Sequence, residues 1–403
     1  MATITGDAGA NTLTGGSGGD KIFGLGGNDH LSGRNGVDTL DGGEADDALF
    51  GGNGNDRLIG GNGRDLLDGG NGDDSLNGGG GSDTVSYEGE QAAGVTIDLQ
   101  GGSASAASGH DVLVSIENAR GSQQNDQIYG SDGANILWGL GSYDNIYAGN
   151  GDDTVYGGTG ADYADGGAGN DVLDGGGDSD NLSGGEGNDI AWGGSGQDYL
   201  DGEDGNDRID GGTEGDVVYG GAGGDSLTGG DGDDYIVGGT DNDRLWGGAE
   251  SDSLHGDDGD DSLDGGAGSD ALHGGAGNDV LTGGAGPDAF YYSLDYSGEG
   301  GRDVFRDFTA GVDSLRLFLS TDVTNIYDNY MFDYLDSNNN NVLDNADKYV
   351  RVASVTEQGQ SRLSTIIEMG KAHDDLPLSS GAYGSGDVAV VFGVTGLTVD
   401  DFV

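Results

Sequence analysis

The chain has 403 residues, 74 of them acidic against 14 basic, and a formal charge of −60. Such an acidic chain repels phosphates, which disfavours nucleic acid and anionic membranes as partners. No stretch approaches the roughly 18 apolar residues of a membrane-spanning helix, and the absence of cysteine excludes disulfides and thiol chemistry. Hydrophobic residues make up only 33% and glycine supplies 91 positions, a composition that reads as disorder unless it is periodic. The opening Met1-Ala2-Thr3-Ile4-Thr5-Gly6 has neither the basic nor the apolar stretch of an N-terminal secretory signal.

The composition is periodic. From residue 6 the chain repeats Gly-Gly-x-Gly-x-Asp-x-U-x, with U apolar, as in Gly51-Gly52-Asn53-Gly54-Asn55-Asp56-Arg57-Leu58-Ile59. Residues 6–86 hold nine units and residues 121–291 hold nineteen, without insertion or deletion. The eighth position is apolar in every unit, with Ala164 and Ala191 the smallest. The sixth is Asp in 26 of 28 units, the exceptions being Asn11 and Asn135. In the first block these are Asp20, Asp29, Asp38, Asp47, Asp56, Asp65, Asp74 and Asp83. In the second they are Asp126, Asp144, Asp153, Asp162, Asp171, Asp180, Asp189, Asp198, Asp207, Asp216, Asp225, Asp234, Asp243, Asp252, Asp261, Asp270, Asp279 and Asp288.

Each position has a physical role. Glycines one, two and four permit positive φ, so the chain turns sharply and aims carbonyls inward. The sixth-position carboxylate joins those carbonyls in a hard-oxygen set that suits Ca²⁺. The x-U-x tripeptide is a short strand with its central side chain inward. One unit makes one loop and one strand. Two make a coil of 18 residues with two parallel sheets back to back.

This pattern resembles the RTX family of hemolysin-type calcium-binding repeats. The resemblance implies a right-handed parallel β-roll, an all-β solenoid, with calcium between loops two units apart. It pairs Asp20 with Asp38, Asp29 with Asp47, Asp153 with Asp171 and Asp162 with Asp180. The departures at position four (Ala45, Gln124, Ser142, Asp178, Glu214, Asp241, Glu250) put the geometry of their loops in question. Sites shared by units two apart number at most seven and seventeen, and twenty-four Ca²⁺ would bring the charge from −60 to about −12. One apolar residue in nine is a thin core against the entropy of ordering the chain. The rolls are therefore expected to fold on binding calcium.

Four regions follow: an N-terminal roll at 1–86, an interruption at 87–120, a main roll at 121–291 and a C-terminal cap at 292–403. In the interruption, Val95-Thr96-Ile97-Asp98-Leu99 and the apolar run 111–118 read as strands that continue the solenoid while loops protrude. After Tyr291 glycine falls and aromatics appear. Residues 303–317 resemble the segment that closes such rolls in secreted proteases and lipases, and a solenoid end needs covering. Asp336, Asn338, Asn340, Asp344 and Asp347 have the spacing of an EF-hand-like calcium loop at 336–347. The final Asp400-Asp401-Phe402-Val403 resembles a type I secretion signal, which makes that export machinery a partner and places the protein outside the cell or on its surface.

No catalytic signature stands apart from the repeat: there is no G-x-S-x-G elbow and no H-E-x-x-H helix. His255 and His273 are 18 residues apart and stack on adjacent coils. Outward aromatics form rows, with Trp138, Tyr156, Trp192 and Trp246 on one sheet, offering a surface for a glycan or a second copy. The sequence reads as a secreted, non-catalytic, calcium-binding structural protein of a surface layer, matrix or adhesion system. The alternative is a glycan- or partner-binding module, or an accessory to a secreted enzyme of the protease, lipase or alginate epimerase type.

Overall fold

A computed structural model describes residues 1–294, 301–309, 312–319, 342–343, 350–357, 360–367, 388–391 and 397–398. All regular elements among them are strands, and they form a parallel β-solenoid. The chain divides into two compact units, Met1–Asp198 and Tyr199–Val403.

In the first unit successive strands alternate between two sheets. Lys21–Gly26 pairs in parallel with Thr39–Glu44, placing Ile22 opposite Leu40, and that strand pairs with Arg57–Gly63. The other sheet runs His30–Asn35, Ala48–Asn53, Leu66–Asn71. Within the nonapeptides these partners are 18 residues apart, so one coil is two nonapeptides. Between the sheets lie the eighth-position side chains; Ile22, Leu31, Leu40, Leu49 and Leu58 are fully buried.

The strands are longer than the tripeptide expected from the repeat. Most run six residues, from position seven through position three of the next unit. Backbone pairing continues through the glycines because Gly43 and Gly61 stay in register. The glycine expectation also needs correction. Positions two and four do take positive φ, as in Gly52 (108°) and Gly54 (133°), but position one does not. Position one is glycine for space. A Cβ on Gly51 would lie 2.5 Å from the Gly69 carbonyl oxygen and 2.6 Å from Asp56 Oδ2.

The interruption keeps the coil geometry. Thr84–Ser86 pairs in parallel with Asn118–Arg120, and Ser75–Gly81 with Gly109–Val114. Thr96–Asp98 pairs in parallel with Gln127–Ser131. Ser103–Ala106 adds antiparallel partners to Thr96–Asp98 and to Gly109–Val114.

The second unit repeats the plan, for example Tyr199–Asp204 with Val217–Ala222 and Arg208–Thr213 with Ser226–Asp231. Past the repeats, Ala289–Leu294 pairs with Ser314–Leu319 and Val280–Ala285 with Arg302–Phe305. Phe290 packs against Phe305 and Phe308 at ring separations of 5.3 and 5.8 Å. Val388–Val391, Gln360–Ile367 and Val350–Glu357 extend that second sheet. Asp336, Asn338, Asn340, Asp344 and Asp347 lie outside the described residues, as does Asp400–Val403.

Candidate metal centres

The sixth-position aspartates form ladders along the coils. Within a run the backbone N–H donates to Oδ1 of the aspartate 18 residues later: Asp20 to Asp38, Asp29 to Asp47 at 2.7 Å, Asp153 to Asp171 at 2.7 Å, Asp162 to Asp180 at 2.7 Å. The pairs named from the sequence are thus brought together. In the second unit Asp216 donates to Asp234 at 2.8 Å and Asp252 to Asp270 at 3.0 Å. Every one of the 26 side chains is buried.

Oδ1 is satisfied and Oδ2 is not. In Asp29, Asp38, Asp47, Asp56, Asp65, Asp74 and Asp83 the second oxygen is buried without a hydrogen-bond partner. The same holds for Asp144, Asp153, Asp162, Asp171 and Asp180, and for Asp225, Asp234, Asp243, Asp252, Asp261, Asp270 and Asp279. A buried ionised oxygen with nothing to pair it is costly, and a cation is what such an atom lacks. The surroundings fit one. The space that a Cβ on Gly24 would fill is bordered by Asp29 Oδ2 at 2.2 Å and the Gly42 carbonyl oxygen at 2.5 Å. Gly42, Gly166 and Gly247 sit in the same arrangement. Among the described residues no three metal-ligating side chains converge. A cation here would draw most of its ligands from backbone carbonyls, which suits a hard ion with many oxygen ligands.

Loop conformation sorts the units into two states. Twenty-four of the 28 second-position residues have left-handed φ, including the non-glycines Leu25, Arg34, Leu140, Glu203 and Asp257. The four that do not are Asp7, Gly16, Ser122 and Ser131, in the first two units of each run. In those four the second-position N–H points back and donates to the sixth-position side chain. Asp7 donates to Asn11 at 2.7 Å, Gly16 to Asp20 at 2.7 Å, Ser131 to Asn135 at 2.7 Å, and Ser122 to Asp126. We call these loops closed and the others open. Open loops turn that N–H away and leave Oδ2 without that donor. A closed loop has no nonapeptide loop ahead of it to share a gap with.

Asp20 and Asp126, named as ligands from the sequence, thus differ from the other sixth-position aspartates in having both carboxylate oxygens hydrogen-bonded. Both oxygens of Asp20 already accept N–H groups, from Ala2 and Gly16. The Gly16 N–H, with that of Ala2, holds its carboxyl below the usual range. In open loops burial does the opposite, pushing Asp65 up to about 7 and Asp144 and Asp180 up to about 8.

Position-four departures keep the left-handed turn. Ala45, Ser142, Asp178, Glu214, Asp241 and Glu250 lie at φ 70–78°, whereas Gly54 and Gly169 sit at 133° and 148°. Each such non-glycine stores about 1 kcal/mol of strain. Gln124 does not adopt it, and its loop is a closed one.

Four ladder members lie outside the nonapeptide register. Asp74 donates to Asp111 Oδ1 at 2.8 Å and Asp83 to Glu117 Oε2 at 2.8 Å. Asp279 donates to Asp303 at 3.2 Å and Asp288 to Asp313 at 3.0 Å. An acid-x-apolar triplet marks each: Asp111-Val112-Leu113, Glu117-Asn118-Ala119, Asp303-Val304-Phe305 and Asp313-Ser314-Leu315.

A model of RTX calcium-binding nonapeptide repeats matches the sequence in overlapping copies over residues 3–85 and 116–290. The chain belongs to the RTX repeat family. RTX repeats bind Ca²⁺, the ion that the orphaned carboxylate oxygens and glycine cradles fit. No curated protein matches the chain. Among solved structures it is similar to an extracellular lipase from Serratia marcescens, with 18% identity and a TM-score of 0.22, over 56% of this chain and 40% of the lipase. The chain thus spans less than half of that enzyme's length.

Of the surface aromatics, Trp138 and Tyr156 stack at 6.0 Å, with the Arg120 guanidinium 5.0 Å from the Trp138 ring. Trp192 and, in the second unit, Trp246 are exposed. A continuous row of ring contacts runs Tyr199, Tyr219, Tyr235, His255, His273, Tyr291 in the second unit, tilted or edge-on up to His255 and stacked from there.

Proposed function

We propose that this RTX chain is a secreted structural protein without catalytic activity, folded by calcium outside the cell and serving a surface layer, matrix or adhesion system. The observation that carries the reading is the row of buried Oδ2 atoms with no protein partner. One cation beside each open loop would satisfy them, and twenty-four open loops bring up to twenty-four such sites. Asp29, Asp38, Asp153 and their equivalents would hold the ion through Oδ2, together with carbonyls such as that of Gly42. The ion supplies the positive charge that a −60 chain lacks. At low cytosolic calcium the chain stays expanded for export; millimolar calcium outside folds it, within the range of extracellular calcium modules.

Nothing in the repeats is set aside for chemistry, and flat parallel sheets favour association with like surfaces. Light scattering on the size-fractionated protein tests this, first in chelator and then along a calcium titration. An expanded monomer that compacts and then assembles into ordered sheets or filaments is the expected result. Compaction to a stable monomer would overturn the assembly role and favour a glycan or protein ligand for the exposed aromatics. No compaction at all would overturn the calcium reading itself.

A further inference from the structure

At the interruption no ladder carboxylate carries an orphaned buried oxygen. Asp111 occupies a rung, its Oδ1 accepting the Asp74 N–H at 2.8 Å. Its Oδ2, the atom orphaned in open loops, accepts the Tyr87 hydroxyl at 2.6 Å. Both residues are buried, Tyr87 to 4% exposure and Asp111 to 6%. Glu117 takes the Asp83 N–H at 2.8 Å.

The next two rungs are the closed loops. Asp126 accepts N–H groups from Val95 at 2.7 Å and from Ser122, and the Ser122 hydroxyl at 2.9 Å. Asn135 is uncharged, accepts the Ser131 N–H and donates to the Glu117 carbonyl. Four rungs in succession thus lack an orphaned buried oxygen, while Asp74 and Asp83 before them and Asp144 and Asp153 after them each have one.

We propose that residues 84–135 form an ion-free seam, which divides the ladder of the first unit into two separately loaded calcium arrays and stays folded at calcium levels where the flanking nonapeptides do not. The inference rests on the calcium reading above and concerns where that reading fails to apply. Hydrogen bonds to a buried carboxylate are among the stronger ones a protein makes, and here they stand in for the ion. A local core supports them: Val85, Val95, Ile97, Leu113 and Ala119 are all nearly or fully buried.

Hydrogen exchange on the full chain along a calcium titration decides the matter. The Leu113 and Gln127 amides report the seam, since they bond to the Gly102 and Val95 carbonyls inside it. The Arg57 and Val172 amides, bonded to the Asp38 and Asp153 carbonyls, report the arrays. The seam amides are expected to stay protected in chelator, while the array amides gain protection only as calcium is added. Tyr87→Phe keeps the ring but removes the hydroxyl. It is expected to speed seam exchange in chelator by about tenfold or more and to leave the array midpoint unchanged. Seam and array amides sharing one calcium midpoint would overturn the seam and leave the calcium reading standing. So would seam exchange untouched by Tyr87→Phe. Array amides indifferent to calcium would overturn both.

Discussion

Asn135 accepts the backbone N–H of Ser131 at 2.7 Å, four residues earlier in the same loop. Asn11 does the same with Asp7. The only two asparagines at position six therefore occupy closed loops, where the side-chain oxygen accepts an N–H and holds no orphan. Charge is dispensable there. Asp20→Asn and Asp126→Asn are expected to bind as many Ca²⁺ as the parent chain. Asp38→Asn and Asp153→Asn, in open loops, are expected to lose one ion each and to melt at lower temperature at fixed calcium. Native mass spectrometry counts the ions. An ion lost from Asp126→Asn would remove the distinction between the loop states.

Much of this was legible in the sequence, because a strict period of nine leaves few alternatives. The coil of 18 and the inward eighth position follow from period and alternation, and the Asp38–Asp56 type of contact is what the resemblance to RTX repeats implied. What the repeat hid was anything that depends on a neighbour. Gly16 and Gly52 look identical in sequence, yet only Gly52 is left-handed, because only its loop has a nonapeptide loop before it. Asp111 and Glu117 were hidden for the opposite reason: their rungs survive while the glycines that announce a loop are gone. The role of position one was misread because glycine is used for both dihedral freedom and space.

That spatial role gives a test at Gly166. A Cβ there would lie 2.5 Å from Asp171 Oδ2 and 2.6 Å from the Gly184 carbonyl oxygen. Gly166→Ala is expected to displace the carboxylate, lose one ion and destabilise the loaded protein by about 2 kcal/mol or more. Gly177 is the control: a Cβ there meets only Ser195 Oγ, at 3.4 Å, and its φ is not left-handed. Gly177→Ala is expected to be neutral within about 0.5 kcal/mol. Equal melting shifts for the two variants would refute the cradle.

The histidine stack makes a different prediction. His255 and His273 lie 4.4 Å apart at an interplanar angle of 11°, and His273 lies 3.9 Å from Tyr291 at 14°. Rings stacked this way spend their faces on each other, and parallel imidazoles do not converge their nitrogens on one metal. Burial, then His255 and Arg316, push His273 down to about 4. In the calcium-loaded protein its imidazole is expected to remain neutral until about pH 4, and Zn²⁺ to leave its NMR signals unmoved. A His273 that titrates near 6.5, or shifts with stoichiometric Zn²⁺, would contradict the stack.

The carboxylates predict the opposite pH dependence for the calcium-free chain. Burial raises Asp74 and Asp153 to about 7 and Asp144 and Asp180 to about 8, against 3.8 for an ordinary aspartate carboxyl. A folded carboxyl raised above its unfolded value binds protons more tightly in the folded state. Its stabilisation is complete below about pH 4 and is lost as pH rises through 6 to 8. Depressed His273 acts in the other direction between about 6.5 and 4, but one imidazole is set against a whole row of aspartates. In chelator, then, acidification from pH 8 to 5 is expected to restore β-structure that calcium restores at neutral pH, protons and calcium competing for the same oxygens. Circular dichroism follows the first effect. For the second, calcium binding at pH 7 should release protons, measurable as a buffer-dependent binding enthalpy. A chelated chain that loses structure on acidification, or binding heats independent of buffer, would show that these oxygens are not where calcium acts.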